Sequence, residues 1–298
     1  MHDLEFILLV VFLCLLGGIS CIFSFQQNKY FIFFLNLTFF SSLNGFYILI
    51  PVFQLLCVHF LTQKKLISRF FIFGIVLIFS PLVLIRLTDA QWLEITFFSG
   101  VKIIGLAFYT LQMYAYFFDV WSEKITRRKS LLELICYVIY FANIISGPVE
   151  RSTAFLDQLS YKRKILSIEQ YQFGLLVVSG LLKKFVFASN LSEYVLPVID
   201  QPHNYGGLTV IIATLLSKFL LYYDLSGYSD MAVGISGFYG IRLTENFRRP
   251  LWTHNMKDFW TRWHISVTTW IRDYIFYPFL TTRIIRTGLL GVLLITFV

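Results

Sequence analysis

Apolar runs of membrane-helix character recur along almost the whole chain, and that recurrence leaves room for few kinds of fold. A transmembrane helix needs ~20 mostly apolar residues. Runs of this kind fall at residues 4–25, 30–60, 70–87, 95–120, 131–147, 173–188, 208–228 with a continuation to 239, 267–280 and 284–298. The run at 30–60 is too long for one span and is expected to be two short helices broken near Gly45 and Pro51. Composition agrees: only 14% of the 298 residues are charged, against about 25% in a soluble domain, and 57% are hydrophobic. The sequence therefore predicts an all-α polytopic membrane protein, with roughly nine to eleven membrane segments in a single domain over residues 1–298. The first run is long for the core of a cleaved signal peptide and lacks a basic leader, so it reads as a retained span.

The net charge of +8 is assigned to loops rather than to a nucleic-acid surface. No stretch interleaves basic and aromatic residues on a soluble face, and basic excess in multi-span proteins gathers at cytoplasmic loops and anionic headgroups. Basic clusters fall at Lys64/Lys65/Arg69, Lys124/Arg127/Arg128/Lys129 and Lys162/Arg163/Lys164. Two apolar runs separate the first from the second, which places both on one side of the membrane. A single run, 131–147, separates the second from the third. It is short and ends in Ser146-Gly147-Pro148, a helix stop, so it is expected to be re-entrant and to return to the same face. Residues 149–172 would then form an interfacial amphipathic segment. Cys14, Cys21, Cys57 and Cys136 sit in apolar surroundings without metal-ligand spacing and read as inert thiols.

Polar residues inside apolar runs mark the places to look for chemistry. Tyr109, Thr110, Gln112, Tyr114 and Asp119 decorate one run; Asp224, Ser226, Tyr228, Ser229 and Asp230 decorate another. Carboxylates in an apolar helix flanked by glycines indicate either an aqueous cavity or a polar network between helices. The densest site is residues 246–279, which hold four of the six tryptophans and two of the five histidines amid Arg and Asp. The stretch 258–277 reads as one helix. On it His264 shares a face with Trp260, Thr268 and Ile271, and Trp263, Val267 and Trp270 form a neighbouring apolar stripe. Asp258 with Arg262, and Thr269 with Asp273, are i,i+4 pairs. An imidazole among aromatic rings can exchange a proton with an alcohol near neutral pH, though a lone histidine on such a face is more often structural. His2, His59, His203 and His254 have no companion pattern. No metal-ligand set, GxSxG elbow, P-loop or GxGxxG is present, which disfavours a serine triad.

The run YSDMAVGISGFYGIRLTENFRRPLWTHNMKDFWTRWHISVTTWIRDYIFYP resembles the signature of the membrane-bound O-acyltransferase family. It is closest to the bacterial branch of alginate O-acetyltransferases and the D-alanyl transferase of teichoic acid synthesis. GLAFYTLQMYAYFFDVW, ISGPVER and GLLKKFVFASNL upstream also resemble family segments. The resemblance implies a multi-helix shell around a tunnel, with re-entrant and interfacial helices. In that tunnel a donor acyl group, acetyl or another acyl thioester on coenzyme A or a carrier protein, meets an acceptor hydroxyl. No bound cofactor is implied. His264 matches the first of two signature polar positions. The second, a histidine taken as the base, is not met before Val298, so the sequence reads as C-terminally truncated. Trp260, Arg262, Trp263, Thr268, Arg272 and Asp273 would support the site, the charged ones as an ion-paired brace, with Asp230 and Asn246 behind them.

The expected function is O-acylation, most simply O-acetylation, of a cell-envelope polysaccharide in a bacterial inner membrane, with membrane lipids and partner acetyltransferase proteins as further contacts. The alternatives are D-alanyl or other acyl transfer to teichoic acid or lipid, an inactive remnant, and a polymer transporter. A transporter would spread charges over many spans in an inverted repeat; here the charges concentrate in one C-terminal stretch.

Overall fold

A computed structural model describes residues 3–20, 25–89, 102–160 and 165–278. The expected run at 284–298 and the basic cluster at 162–164 lie outside them. The regular elements among the described residues are all helices, without strands. In order they form α1 (Asp3–Ser20), α2 (Phe25–Asn44), α3 (Leu49–Leu61), α4 (Lys64–Ile67), α5 (Phe71–Asp89) and α6 (Leu106–Trp121). Then follow α7 (Leu131–Val138), α8 (Ser152–Gln158), α9 (Ser167–Leu181), α10 (Ser189–Asp200), α11 (Gly207–Phe238), α12 (Met256–Arg262) and α13 (Ile265–Ile271).

Four helical stretches are long and apolar enough to cross a membrane: Gln27–Leu61, Phe71–Thr88, Ser167–Asp200 and Gly207–Phe238, with Glu5–Ile19 as a shorter apolar helix. The chain is a membrane protein. The expected count of segments was too high for these residues, because several apolar runs resolve into pieces too short to span. Helix α6 has 16 residues and α7 has eight, and eight residues rise only about 12 Å against a hydrocarbon thickness of ~30 Å. The break expected near Gly45 is present as a short 3-10 turn, Gly45–Ile48. Pro51 does not break anything: it falls in the first turn of α3, where its missing N–H costs no bond. The run expected at 173–188 is part of a longer stretch. There α9 passes through a π-helical turn, Leu182–Ala188, into α10.

Over 131–147 the structure has a short helix followed by irregular backbone. Helix α7 is capped by the Ser130 hydroxyl and Glu133. After Val138 the chain continues without regular structure through a buried interior. Non-helical backbone survives there only if its polar groups find partners, and they do. Asn36 on α2 donates to Cys136 O at 3.3 Å and accepts from Phe141 N at 3.0 Å; Asn143 donates to Pro148 O at 3.0 Å; Tyr140 Oη and Ser236 Oγ are 2.8 Å apart. The first two basic clusters lie close together, whereas the third is outside the described residues. Arg128 donates to the His59 carbonyl at the end of α3, and Lys129 lies 3.7 Å from Asp157 on α8. The segment 149–172 is not the single interfacial element expected. Val149, Glu150, Ser152, Phe155 and Leu156 are buried, and Ser167 already begins α9. Packing against α6 and α7 buries what composition alone placed at the headgroups.

Helices α9 and α11 form the closest helix pair. A Cβ on Gly180 would lie 2.5 Å from the Gly227 carbonyl oxygen, and one on Gly227 2.9 Å from that of Gly180. Only glycine permits this approach. The π turn after α9 then turns Lys183 and Lys184 toward α11, where they pair with Asp230 and Asp224 at 2.5 Å each. The two carboxylates of α11 therefore belong to a network between helices, the second of the two sequence readings.

Candidate active site

The stretch 258–277 is not one helix. Helix α12 ends at Arg262, Trp263 is extended, and His264 adopts a left-handed conformation (φ 44°) before α13 begins. Local periodicity could not show this, because the break is imposed from outside. Asn246 accepts the N–H of Ile265 on its carbonyl at 2.9 Å and the N–H of Ser266 on Oδ1 at 3.1 Å, while Arg248 N–H takes the Arg262 carbonyl at 3.0 Å. Those groups would have closed the i→i−4 bonds of a continuous helix. Ser266 Oγ then accepts Val149 N–H at 2.9 Å, which anchors α13 to the re-entrant segment. A left-handed non-glycine residue costs about 1–3 kcal/mol and persists only where its surroundings over-determine it, often at functional sites.

The consequence is a different set of neighbours for His264. Thr268 stays one helical turn along, its N–H donating to the His264 carbonyl at 3.0 Å, while Trp260 lies across the break on α12. The ring beside it is Phe247, 5.6 Å away between centroids. Phe247 packs edge-on against Trp263 at 5.2 Å, and Trp263 lies 5.4 Å from Phe259 and 6.2 Å from Tyr222 on α11. Thr268 donates to the Trp263 carbonyl at 3.1 Å, and Trp260 stands edge-on to Phe259 at 5.2 Å. His264 is half-buried, and burial lowers its pKa below the ordinary imidazole value, so the neutral ring is favoured near pH 7. Among the described residues its Nδ1 is buried with no hydrogen-bond partner on another residue, and Nδ2 of Asn246 is buried with none. An imidazole nitrogen and an amide N–H, each uncommitted and held at one backbone junction, can together meet a polar group of a third molecule.

The charged residues act as the expected brace, with one correction. Arg262 pairs with Asp258 at 2.9 Å. Thr269 does not pair with Asp273: its hydroxyl donates back to the Ile265 and Ser266 carbonyls, while Asp273 takes Arg272 and Arg151 at 2.9 Å each. A π turn, Arg272–Phe276, follows α13 and moves Asp273 off the helical register. Asp230 is held by Lys183 of the π turn after α9. Sequence reasoning missed a buried carboxylate centre beside α13. Asp119 Oδ2 accepts from Tyr274 Oη at 2.8 Å and from Ser152 Oγ, and Lys124 lies 3.7 Å from Oδ1. It missed Glu150 as well, which accepts both N–H and hydroxyl of Thr244 just ahead of Asn246. The acidic residues of the ISGPVER segment and of the Asp119 helix were the available signal.

The described residues are thus those of an all-helical membrane protein with a histidine at a clamped break between two short helices. The sequence matches the membrane-bound O-acyltransferase family over residues 108–298, and the chain belongs to that family. It is 32% identical over 177 residues to the probable alginate O-acetylase of Azotobacter vinelandii, covering 58% of this chain and 34% of that protein. It is 29% identical to the peptidoglycan O-acetyltransferase of Helicobacter pylori, covering 59% of this chain and 38% of that protein. The teichoic acid D-alanyltransferase of Bacillus subtilis is also 29% identical, over 60% of this chain and 46% of its own length. The chain thus spans about a third to a half of the length of these curated relatives.

Proposed function

We propose that this protein transfers an acetyl group from an acyl thioester to hydroxyls of a bacterial cell-envelope polysaccharide, at the cytoplasmic membrane. The observation that carries the reading is the His264 junction: a neutral, half-buried imidazole beside the uncommitted amide of Asn246. In this scheme the imidazole accepts a hydrogen bond from the acceptor hydroxyl and orients it. The Asn246 amide donates to the carbonyl oxygen of the donor, where negative charge develops. The hydroxyl oxygen bonds to the acyl carbon, the carbon–sulfur bond breaks, and the thiol leaves with a proton. Acetyl as the group and a polysaccharide as the acceptor rest on the names of the alginate and peptidoglycan relatives. The teichoic acid relative makes a D-alanyl donor the second reading.

Expression in a bacterial host lacking its own activity, with base-released acetate and D-alanine measured on envelope polymers, tests this. Transfer should disappear in His264→Ala while the variant still reaches the membrane at wild-type levels. It should hold as pH falls to 6.5, the ordinary imidazole value, and decline only below that. Undiminished transfer in His264→Ala would overturn the role, and release of D-alanine alone would move the donor to an aminoacyl group.

A further inference from the structure

Away from the His264 junction, the turn from α3 through α4 into α5 encloses an apolar groove of about 410 Å³. Leu56, Cys57 and Phe60 of α3 form one wall, Leu66 of α4 the end, and Phe70 and Phe73 at the start of α5 the other wall. Phe60, Phe70 and Phe73 are exposed large aromatics, 59%, 39% and 58%. The volume falls in the range of sites that hold a small ligand, about 300–1,000 Å³.

What distinguishes this groove from ordinary lipid-facing surface is the charge at its rim. The exposed Arg69 precedes Phe70, with its guanidinium carbon 5.8 Å from the Phe70 ring centre. The exposed Arg128, from the loop after α6, reaches across to the His59 carbonyl, one residue from Phe60. Neither arginine forms an ion pair with a carboxylate among the described residues. A fixed, unneutralised guanidinium next to an apolar slot at the basic face matches one chemistry: a phosphate on an acyl chain. Guanidinium binds phosphate through paired charge-assisted hydrogen bonds, and basic pockets between membrane helices on the cytoplasmic side select anionic headgroups.

We propose that the α3–α5 groove binds an anionic glycerophospholipid, with an acyl chain between Cys57 and Phe73 and the headgroup phosphate at Arg69 and Arg128. The site is independent of the acyl-transfer reading, since it shares no residue with the His264 junction. Binding of dioleoyl phosphatidylglycerol and dioleoyl phosphatidylcholine to the purified protein, followed by native mass spectrometry from a neutral detergent, tests it. Phosphatidylglycerol should be retained in preference. Arg69→Gln should weaken it about fivefold, the effect of one interfacial cation, and Cys57→Trp, which fills the slot, should weaken both lipids. Arg86→Gln, an exposed cation about 22 Å further along α5, should change nothing. Because Arg128 also ties two loops, Arg128→Lys is the variant to compare there: it keeps a cation but loses the paired geometry, and should weaken phosphatidylglycerol while the melting temperature holds. Equal retention of the two lipids, or unchanged binding in Arg69→Gln, would overturn the proposal. Loss in Arg69→Gln without any effect of Cys57→Trp would overturn the groove and leave only surface attraction.

Discussion

Replacing Glu150 by glutamine removes a titration from the interior while preserving the shape of its contacts. Glu150 is 2% exposed. Burial raises its pKa to about 7 from an ordinary 4.5, and the hydrogen bonds from the Thr244 N–H and hydroxyl, together with nearby Arg151, offset only part of that. The folded chain therefore holds a proton that the unfolded chain releases earlier. Stability from this residue is complete below pH 4.5 and is lost as pH rises through about 7. At ~1.4 kcal/mol per pH unit, the gap between the two values corresponds to about 3 kcal/mol of lost stability on the alkaline side. Glutamine can still accept the Thr244 N–H through its carbonyl oxygen and donate its amide to the Thr244 hydroxyl, so the substitution costs little in hydrogen bonding.

The measurement is a pair of thermal melts, wild type and Glu150→Gln, followed by tryptophan fluorescence in one detergent from about pH 4 to about pH 8. Titrations elsewhere are common to both proteins and cancel in the difference. The two should melt together at the acidic end. At the alkaline end the variant should melt several degrees higher, as ~2–4 °C per kcal/mol implies for a chain of this order. Parallel curves across the whole range would show that Glu150 is ionised in the fold at neutral pH, and the burial argument would fail.

Two further outcomes follow from the α9–α11 contact. Gly180→Leu should lower the melting temperature, with a cost of at least about 1–3 kcal/mol, because its Cβ would sit 2.5 Å from the Gly227 carbonyl oxygen; a melt like wild type would mean that the helices are not in contact there. Lys183→Met and Asp230→Leu should each destabilise by about 3 kcal/mol, whereas the double variant should recover most of the loss, since neither leaves the other's charge unpaired; simple additivity in that cycle would dismiss the ion pair.

The sequence announced the membrane character and the nearness of the first two basic clusters, because these depend on length and charge alone. The Arg262–Asp258 pair was legible for the same reason: it lies within one helix turn. What could not be read was decided by residues distant in the chain. The helix predicted over 258–277 has the right period, but Asn246 and Arg248 take the backbone groups that would have joined its halves. The register of Asp273 is set by a π turn that no propensity scale marks. Asp224 and Asp230 gave a polar signal without saying which of two readings held. The answer lay in Lys183 and Lys184 on another helix.

The segments that carried the family resemblance turn out to be bonded to one another. ISGPVER supplies Val149 to Ser266 and Arg151 to Asp273. GLAFYTLQMYAYFFDVW supplies Asp119 to Tyr274. GLLKKF supplies Lys183 to the aspartate of YSDMA, and ENF supplies Asn246 to the start of α13. The residues just named are consumed by structure, their polar atoms facing each other in an interior where an unpaired polar atom is costly, while Tyr109 Oη and the side-chain amide of Gln112 are buried without a partner among the described residues. Chemistry has to be sought in what such pairing leaves over. At the one junction where the motifs converge, Nδ1 of His264 and Nδ2 of Asn246 are left over together, beside a backbone turn that the rest of the network holds in a left-handed conformation. A purely structural clamp would need Asn246 but not an imidazole in that turn, where glycine would be less strained. His264 occupies a position that penalises a side chain, and the role proposed for it would account for that cost.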